Sequence, residues 1–393
     1  MPRITIQPFA LTMSLDLRNL ADKLRRYRQQ FDATLPQVAE STGIPVEAMA
    51  ALERGELSPS GDQILILADY YKCDFKFFIS NDRLAPFEQT ENLFRRFGDD
   101  LSAPDRWSIQ EFLFLCENES FLAEELGRVP RDAFEFTKRG KFYKRHADEA
   151  AKALRTFLGY KSHEIPADIF HDFRRIGIHI FRRHLENSNI SGIFIKHPTA
   201  GKCVLVNYSE DVYRQRFTAT HEVGHSILDD KEDFVVSFKR WNREDLVEIR
   251  ANAFAGHFLV PAAALAKIDS ASLTPDSIVD FADRLRVNTD TLVFALKREG
   301  ILTEVAARSF MGLRIPKGSK IDPELPPTLS ARGRQTKHDL LRRGISTHYA
   351  QLCFDAYRQG VVSLGRLAEM MLGTEKELWE IGKLFGWSHE HES

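Results

Sequence analysis

The segment that decides how this 393-residue chain is read is HEVGHSILDD, His221 to Asp230. Two histidines stand four apart, with a glutamate directly after the first, in a run preceded by RQRFTAT and otherwise apolar enough to read as helix. Residues i and i+4 of a helix share one face, a turn apart, so His221 and His225 can offer both imidazoles to one ion. Glu222 is rotated by about 100° from His221 and flanks such an ion without ligating it. This is the H-E-x-x-H arrangement, in which two histidines bind zinc and the glutamate acts as general base. Gly224 keeps side-chain bulk away from the pair.

Among 13 histidines the five-residue pattern can arise by accident, so the deciding requirement is a third ligand. A catalytic zinc takes three protein ligands and leaves one position open. The metzincin extension needs glycine at 228 and histidine at 231; the chain has Leu228 and Lys231 there, which excludes that class. A carboxylate from a second helix is the alternative. In REDLVEIRANAFAGHFLVP, residues 243–261, the apolar positions describe a mostly buried helix, and Glu248 falls inside it. A buried carboxylate without a cation is costly, and coordination to zinc removes that cost. Asn252 lies one turn on and is placed to hydrogen-bond a ligating side chain. His257 points roughly opposite to Glu248, beside Arg250, and stays outside the site. Asp229 and Asp230 end the first helix and read as solvated, with Asp229 a lesser candidate for a supporting hydrogen bond. The expected centre is Zn2+ on His221, His225 and Glu248, with Glu222 as base and Asn252 behind the ligands.

Composition sets the frame around this site. Hydrophobic residues make up 43% and charged residues 28% of the chain, ordinary values for globular protein. A net charge of −2 gives no global attraction to nucleic acid or anionic membrane. Cys73, Cys116, Cys203 and Cys353 are scattered singly, which supports neither a disulfide framework nor a CxxC metal knuckle and fits a reducing cytoplasm. MPRITIQPFALTMSL at the N-terminus lacks the apolar core and cleavage site of a signal peptide. No apolar run is long enough to span a membrane.

Read for organisation, the chain is expected to be α+β and predominantly helical. Residues 1–80 read as a five-helix helix-turn-helix domain, with Gly43 at the turn and Ser60 or Asp62 capping a later helix. Residues 81–145 read as a helical connector ending in the basic run KRGKFYKRH, a solvated stretch. Residues 146–302 carry helices around short β-rich runs, GIHIF, SGIFIK and KCVLVNY, consistent with a small sheet in a zincin-like peptidase domain. Residues 303–335 are rich in Pro, Gly and charge and read as a linker. Residues 336–393 read as a C-terminal helical domain like another small helix-turn-helix, with Ser346, Ser363 and Thr374 as N-caps.

RQRFTATHEVGH followed by EIRANAFAGHFLVP resembles the ImmA/IrrE family of metallo-endopeptidases. The family pattern is an R-x-R-F-T lead-in, H-E-x-G-H, then E-x-x-A-[ND]-x-F-A ending in Leu and Pro. SGIFIK and KCVLVN match the strands before its site, and RVNTDTLVFALKREGIL its closing helices, so the similarity covers about residues 146–302. The resemblance implies the same zinc ligands and the same base as the residue-level reading. It also implies a narrow protein substrate, usually a partner repressor whose cleavage switches on stress-response or mobile-element genes.

LADKLRRYRQQFDATLPQVAESTGIPVEAMAALERGELSP is similar to the Cro/repressor (XRE) type of helix-turn-helix. Leu35 to Ser41 would be its first helix and Pro45 to Leu52 its recognition helix. Gln37, Glu47 and Arg54 are the candidate contacts to DNA or to a partner. Base edges are read mainly by Arg, Lys, Asn, Gln, Ser and Thr, whereas this recognition helix offers Val46, Glu47, Ala48, Met49, Ala50 and Ala51. Residues 1–80 hold nine Lys and Arg against ten Asp and Glu, which leaves no basic footprint for counterion release. DNA binding and a protein-interaction or homodimerisation role both stay open. The competing reading of the whole chain is a transcriptional regulator whose zinc domain senses a ligand or anchors the fold. Against it, a structural zinc needs no base and takes a closed four-ligand site. The C-terminal helices can also be read as an adaptor for substrate, with Glu375, Glu377 and Glu380 disfavouring DNA.

Overall fold

The structure, a computed structural model, describes residues 15–81, 88–98, 100–130, 133–138, 143–229, 232–238 and 245–386. Residues 1–14 of the stretch weighed as a signal peptide, residues 139–142 of the basic run KRGKFYKRH, and Asp230 lie outside them. The chain divides into two compact units, residues 1–96 and 97–393.

In the first unit, α1 (Leu17–Gln30), α2 (Leu35–Thr42), α3 (Val46–Arg54), α4 (Gly61–Tyr70) and α5 (Phe75–Ile79) form the expected five-helix bundle, followed by α6 (Glu88–Phe97). The sequence dictates the tight turns. Thr34 caps α2, its hydroxyl accepting from Gln37 N while Gln37 Oε1 accepts from Thr34 N, a capping box. Gly43 ends α2 at φ +71°, a left-handed position that favours glycine, and α3 begins three residues later. Ser60 caps α4 in the same reciprocal way. Leu24, Phe31, Val38, Met49, Leu67, Tyr71 and Phe78 fill the core. Two polar ties cross it. Arg28 makes a two-pronged ion pair with Glu53 of α3 at 2.7 and 2.9 Å, and Lys23 donates to the carbonyls of Phe77 and Ser80.

The second unit opens with the long α7 (Ala103–Glu125), then α8 (Tyr143–Phe157) and α9 (Ile169–Arg174). The sheet follows as β1 (Ile178–Arg183), β2 (Ile190–His197) and β3 (Gly201–Asn207). Next come α10 (Val212–Leu228), β4 (Phe234–Phe238) and α11 (Leu246–Leu259). The remaining helices are α12 (Ala262–Leu265), α13 (Pro275–Arg284), α14 (Thr289–Arg298), α15 (Glu304–Phe310), α16 (Ala331–Arg342), α17 (Thr347–Arg358), α18 (Leu364–Met370) and α19 (Glu375–Leu384).

The sheet order is β1-β3-β2-β4, with β1 parallel to β3 and the other pairings antiparallel. The three β-rich runs of the sequence are β1 to β3; β4 was not anticipated. α10 packs against β2 and β3 on one side and against α11 on the other, and α11 in turn rests on α8. This layering places the middle of α10 in a dry core with Phe173, Phe254 and Phe258. Both strand faces are covered: every residue of β2 except Lys196 is buried.

The Pro- and Gly-rich stretch read as a linker is tied down along its length. Lys320 bonds Asp211 and Asn288 at 2.7 and 2.9 Å. Asp322 pairs with the buried Arg182 of β1 at 2.7 Å. Glu324 pairs with Lys337 of α16 at 2.8 Å and accepts from Thr347 N at the start of α17. The helices beyond it begin at the anticipated caps Ser346, Ser363 and Thr374, and α17 and α18 pack on α7. No helix among the described residues is long and apolar enough to cross a membrane.

Candidate metal centre

Asp211 caps α10, accepting from the backbone of Tyr213 and Arg214, and the helix then runs unbroken through the histidines. One turn apart, His221 and His225 turn their Nε2 atoms to 3.0 Å from each other. From α11, Glu248 brings Oε2 to 3.3 Å from His221 Nε2 and Oε1 to 3.3 Å from His225 Nε2. Ligands bonded at about 2.0–2.1 Å to one tetrahedral ion stand roughly 3.3 Å apart. The three side chains therefore fit the group they were read to hold. Among the described residues, this is the cluster of three His, Cys, Asp or Glu side chains placed to share a metal ion.

Gly224 lets the two helices come together. A Cβ there would stand 2.9 Å from Phe254 Cδ1 and 3.5 Å from the Ala251 Cα on α11. The bulk it excludes belongs to α11, whose close approach brings Glu248 to the histidines.

The electrostatics describe a site assembled around positive charge. Burial would raise the Glu248 carboxyl, but the two imidazoles hold it well below the usual carboxylate range. Burial lowers the His221 imidazole. Burial also works against a charged His225, yet Asp229 and Glu248 outweigh it and hold that imidazole up at about 10. Glu222 is fully buried next to His221, and burial pushes its carboxyl to about 8 against the pull of His225 and Ser237. Neither of its oxygens has a hydrogen-bond partner among the described residues.

Behind the cluster, the structure departs from two sequence expectations. Asp229, read first as solvated and only second as a supporting hydrogen-bond partner, is 7% exposed. Its Oδ2 lies 2.8 Å from His225 Nδ1, and its other oxygen pairs with Arg250 Nη2 of α11. A carboxylate on the far nitrogen of a ligating histidine fixes its tautomer and raises its basicity. The signal was present, since Asp229 follows His225 by one helical turn. Asn252, expected to steady a ligand, makes no such bond: its Nδ2 is buried without a partner among the described residues. Helical phase puts Asn252 on the right face, but the reach to a ligand is taken by Asp229 from α10 itself. Arg250 and Lys138 also donate to Leu228 O, at 3.2 and 2.7 Å, placing two positive charges at the C-terminus of α10. His257 lies away from the centre against Asp148 of α8, at 3.3 Å.

In the first unit, Gln37 spends its Oε1 on the α2 cap. Glu47 is exposed on α3, and Arg54, exposed, is paired with Glu56 at 2.8 Å. The structure gathers these three into no charged cluster of one sign.

A pair of histidines on one helix, a carboxylate from the next and a buried glutamate beside them describe a metallopeptidase-like protein. The comparison with known families agrees. Residues 173–297 match the model described as Peptidase M78, the IrrE N-terminal-like domain, a stretch that contains Glu222 and all three clustered side chains. Residues 19–74 match a helix-turn-helix domain. The two matches bear out the resemblance read from RQRFTATHEVGH, EIRANAFAGHFLVP and the N-terminal helices. A search of curated proteins finds none that matches the chain.

Proposed function

We propose that the chain is a zinc-dependent endopeptidase that cleaves a regulatory protein, in the first instance a transcriptional repressor of a stress-response or mobile-element switch. The observation that supports this most is the triangle of His221, His225 and Glu248, with edges of 3.0–3.3 Å, and the buried carboxylate of Glu222 beside it. His221, His225 and Glu248 would hold a zinc ion, which would supply a Lewis acid and lower the pKa of the attacking water toward ~7. Glu222 takes a proton from the attacking water and delivers it to the departing amine nitrogen. Asp229 holds His225 with Nε2 turned toward His221 and Glu248. The same proposal assigns residues 1–80 to the helix-turn-helix domain, 81–145 to a connector, 146–302 to the peptidase domain, 303–335 to the segment after it and 336–393 to the C-terminal helices.

The helix-turn-helix domain is proposed as the targeting module. Its α3 offers Val46 and Glu47 to solvent, and its Arg54 is neutralised by Glu56. That chemistry favours a protein partner, a repressor or a second copy of this chain, over duplex DNA. A salt-dependent gel shift on random duplex separates the two, with binding at low salt assigning the domain to DNA.

The test of the enzymatic proposal is metal analysis of the purified chain, then incubation with repressors encoded near its gene. Glu222→Gln is expected to keep zinc and lose cleavage. Cleavage by Glu222→Gln at the native rate refutes the assignment of the base.

A further inference from the structure

β2 and β4 pair with Ile190 opposite Phe238 and Gly192 opposite Ser237. Two positions advance on β2 while one advances on β4, so Ser191 is the extra residue of a β-bulge. The Ser191 hydroxyl donates to Glu210 at 3.1 Å. Cross-strand partners point to the same face of a sheet, so the Ser237 side chain and the missing side chain of Gly192 face α10 together. A Cβ on Gly192 would stand 2.7 Å from Thr218 Cγ2, 2.8 Å from Glu222 Oε1 and 3.0 Å from Glu222 Cγ. Gly192 is not among the glycines at positive φ, so the backbone does not demand glycine there; the contact does. Thr218 cannot yield easily: it is β-branched on a helix, and its hydroxyl donates to Glu210 at 3.4 Å. Ser237 Oγ is buried without a hydrogen-bond partner among the described residues, as are both oxygens of Glu222.

We propose that this bulge is a seat for the general base: Gly192 and Ser237 set where the Glu222 carboxylate stands relative to His221, His225 and Glu248. This rests on reading that centre as a hydrolytic metal site. Gly192 works by leaving room, and Ser237 by presenting a hydroxyl to a carboxylate that has no hydrogen-bond donor among the described residues. Both are positioning residues that act through Glu222. A methyl group at position 192 crowds Thr218 and Glu222 together, and the part of that displacement the centre feels is the movement of the Glu222 carboxylate.

The test uses the full chain loaded with Co(II) and the probe acetohydroxamate, a chelator whose hydroxyl proton a neighbouring carboxylate takes up. Its affinity is read from the visible spectrum of the metal. Gly192→Ala is expected to keep a full metal complement and to bind the probe roughly tenfold more weakly. Ser237→Ala, which removes one oxygen and cannot clash, is expected to shift affinity in the same direction. In a Glu222→Ala background, Gly192→Ala is expected to cost less than in the parent, since the added methyl then meets Thr218 alone. Unchanged affinity in both single variants overturns the seat. So does an equal loss in the Glu222→Ala background, which marks a general distortion of the sheet. Failure of the unsubstituted chain to bind Co(II) or zinc refutes the metal centre itself, a result distinct from failure of the seat alone.

Discussion

His225 Nδ1 lies 2.8 Å from Asp229 Oδ2, one turn further along the same helix, and the opposite oxygen of Asp229 holds Arg250. One carboxylate thus orients a candidate metal ligand and neutralises a buried guanidinium. Asp229→Ala is expected to weaken zinc binding about 10- to 100-fold in chelator competition. It should also destabilise the fold by roughly 1–3 kcal/mol, because Arg250 loses its buried partner. Asp229→Asn, which keeps the shape, is expected to lose less. Native zinc affinity in Asp229→Ala refutes the orienting role.

Gly224 separates α10 from the ring of Phe254 by less than the room a methyl group needs. Gly224→Ala is expected to push α11 outward and to cost on the order of 1–3 kcal/mol in denaturant unfolding, as overpacked cores do. Because Glu248 rides on α11, the same variant should retain less zinc. A variant as stable and as metal-rich as the parent refutes the close-approach argument.

Removing the metal should loosen the centre. An ion that binds the cluster of two buried imidazoles and the half-buried Glu248 only in the folded chain adds its binding energy to stability. Dialysis against a chelator is expected to lower Tm, and zinc to restore it. His221→Ala should abolish the restoration. A Tm indifferent to chelation places the ion elsewhere or nowhere.

Acid should loosen the second unit through Glu324. Burial alone would raise its carboxyl, but Lys337 and Arg182 outweigh that and hold it down at about 2. A depressed carboxylate stabilises the fold fully above its ordinary pKa of roughly 4.3 and loses that contribution as pH falls toward the folded value. The unfolding midpoint should therefore drop between about pH 5 and pH 2, with Glu324 supplying at most on the order of 2–3 kcal/mol. Glu324→Gln is expected to be less stable at neutral pH and to show a shallower acid slope. An unchanged slope assigns the acid sensitivity to other carboxylates.

The sequence disclosed the parts of the centre that follow from local periodicity. The four-residue spacing of His221 and His225 is a helical property, and Glu248 stood out as a charge within an apolar helix. Asp229 ranks only as a lesser candidate in the sequence because a pair of aspartates at a helix end is ordinarily wet; the approach of Arg250 from α11 makes it dry. Asn252 was misjudged because phase names a face and says nothing of which neighbour arrives first. β4 escaped because FVVSF is five residues long between charged flanks, and its reason to be a strand is its pairing with β2. The bulge at Ser191 is likewise a fact of pairing. The stretch after α15 has the composition of a loop, while its anchor joins residues 140 positions apart, Arg182 and Asp322.

That anchor bears on how the molecule can be cut. A minimal catalytic fragment ending near residue 302 would look natural from composition, yet it would strand the guanidinium of Arg182 in the interior without its counter-ion. Trimming at the proline-rich segment is therefore expected to yield insoluble or unstable material, and a workable fragment must extend at least through the aspartate at 322.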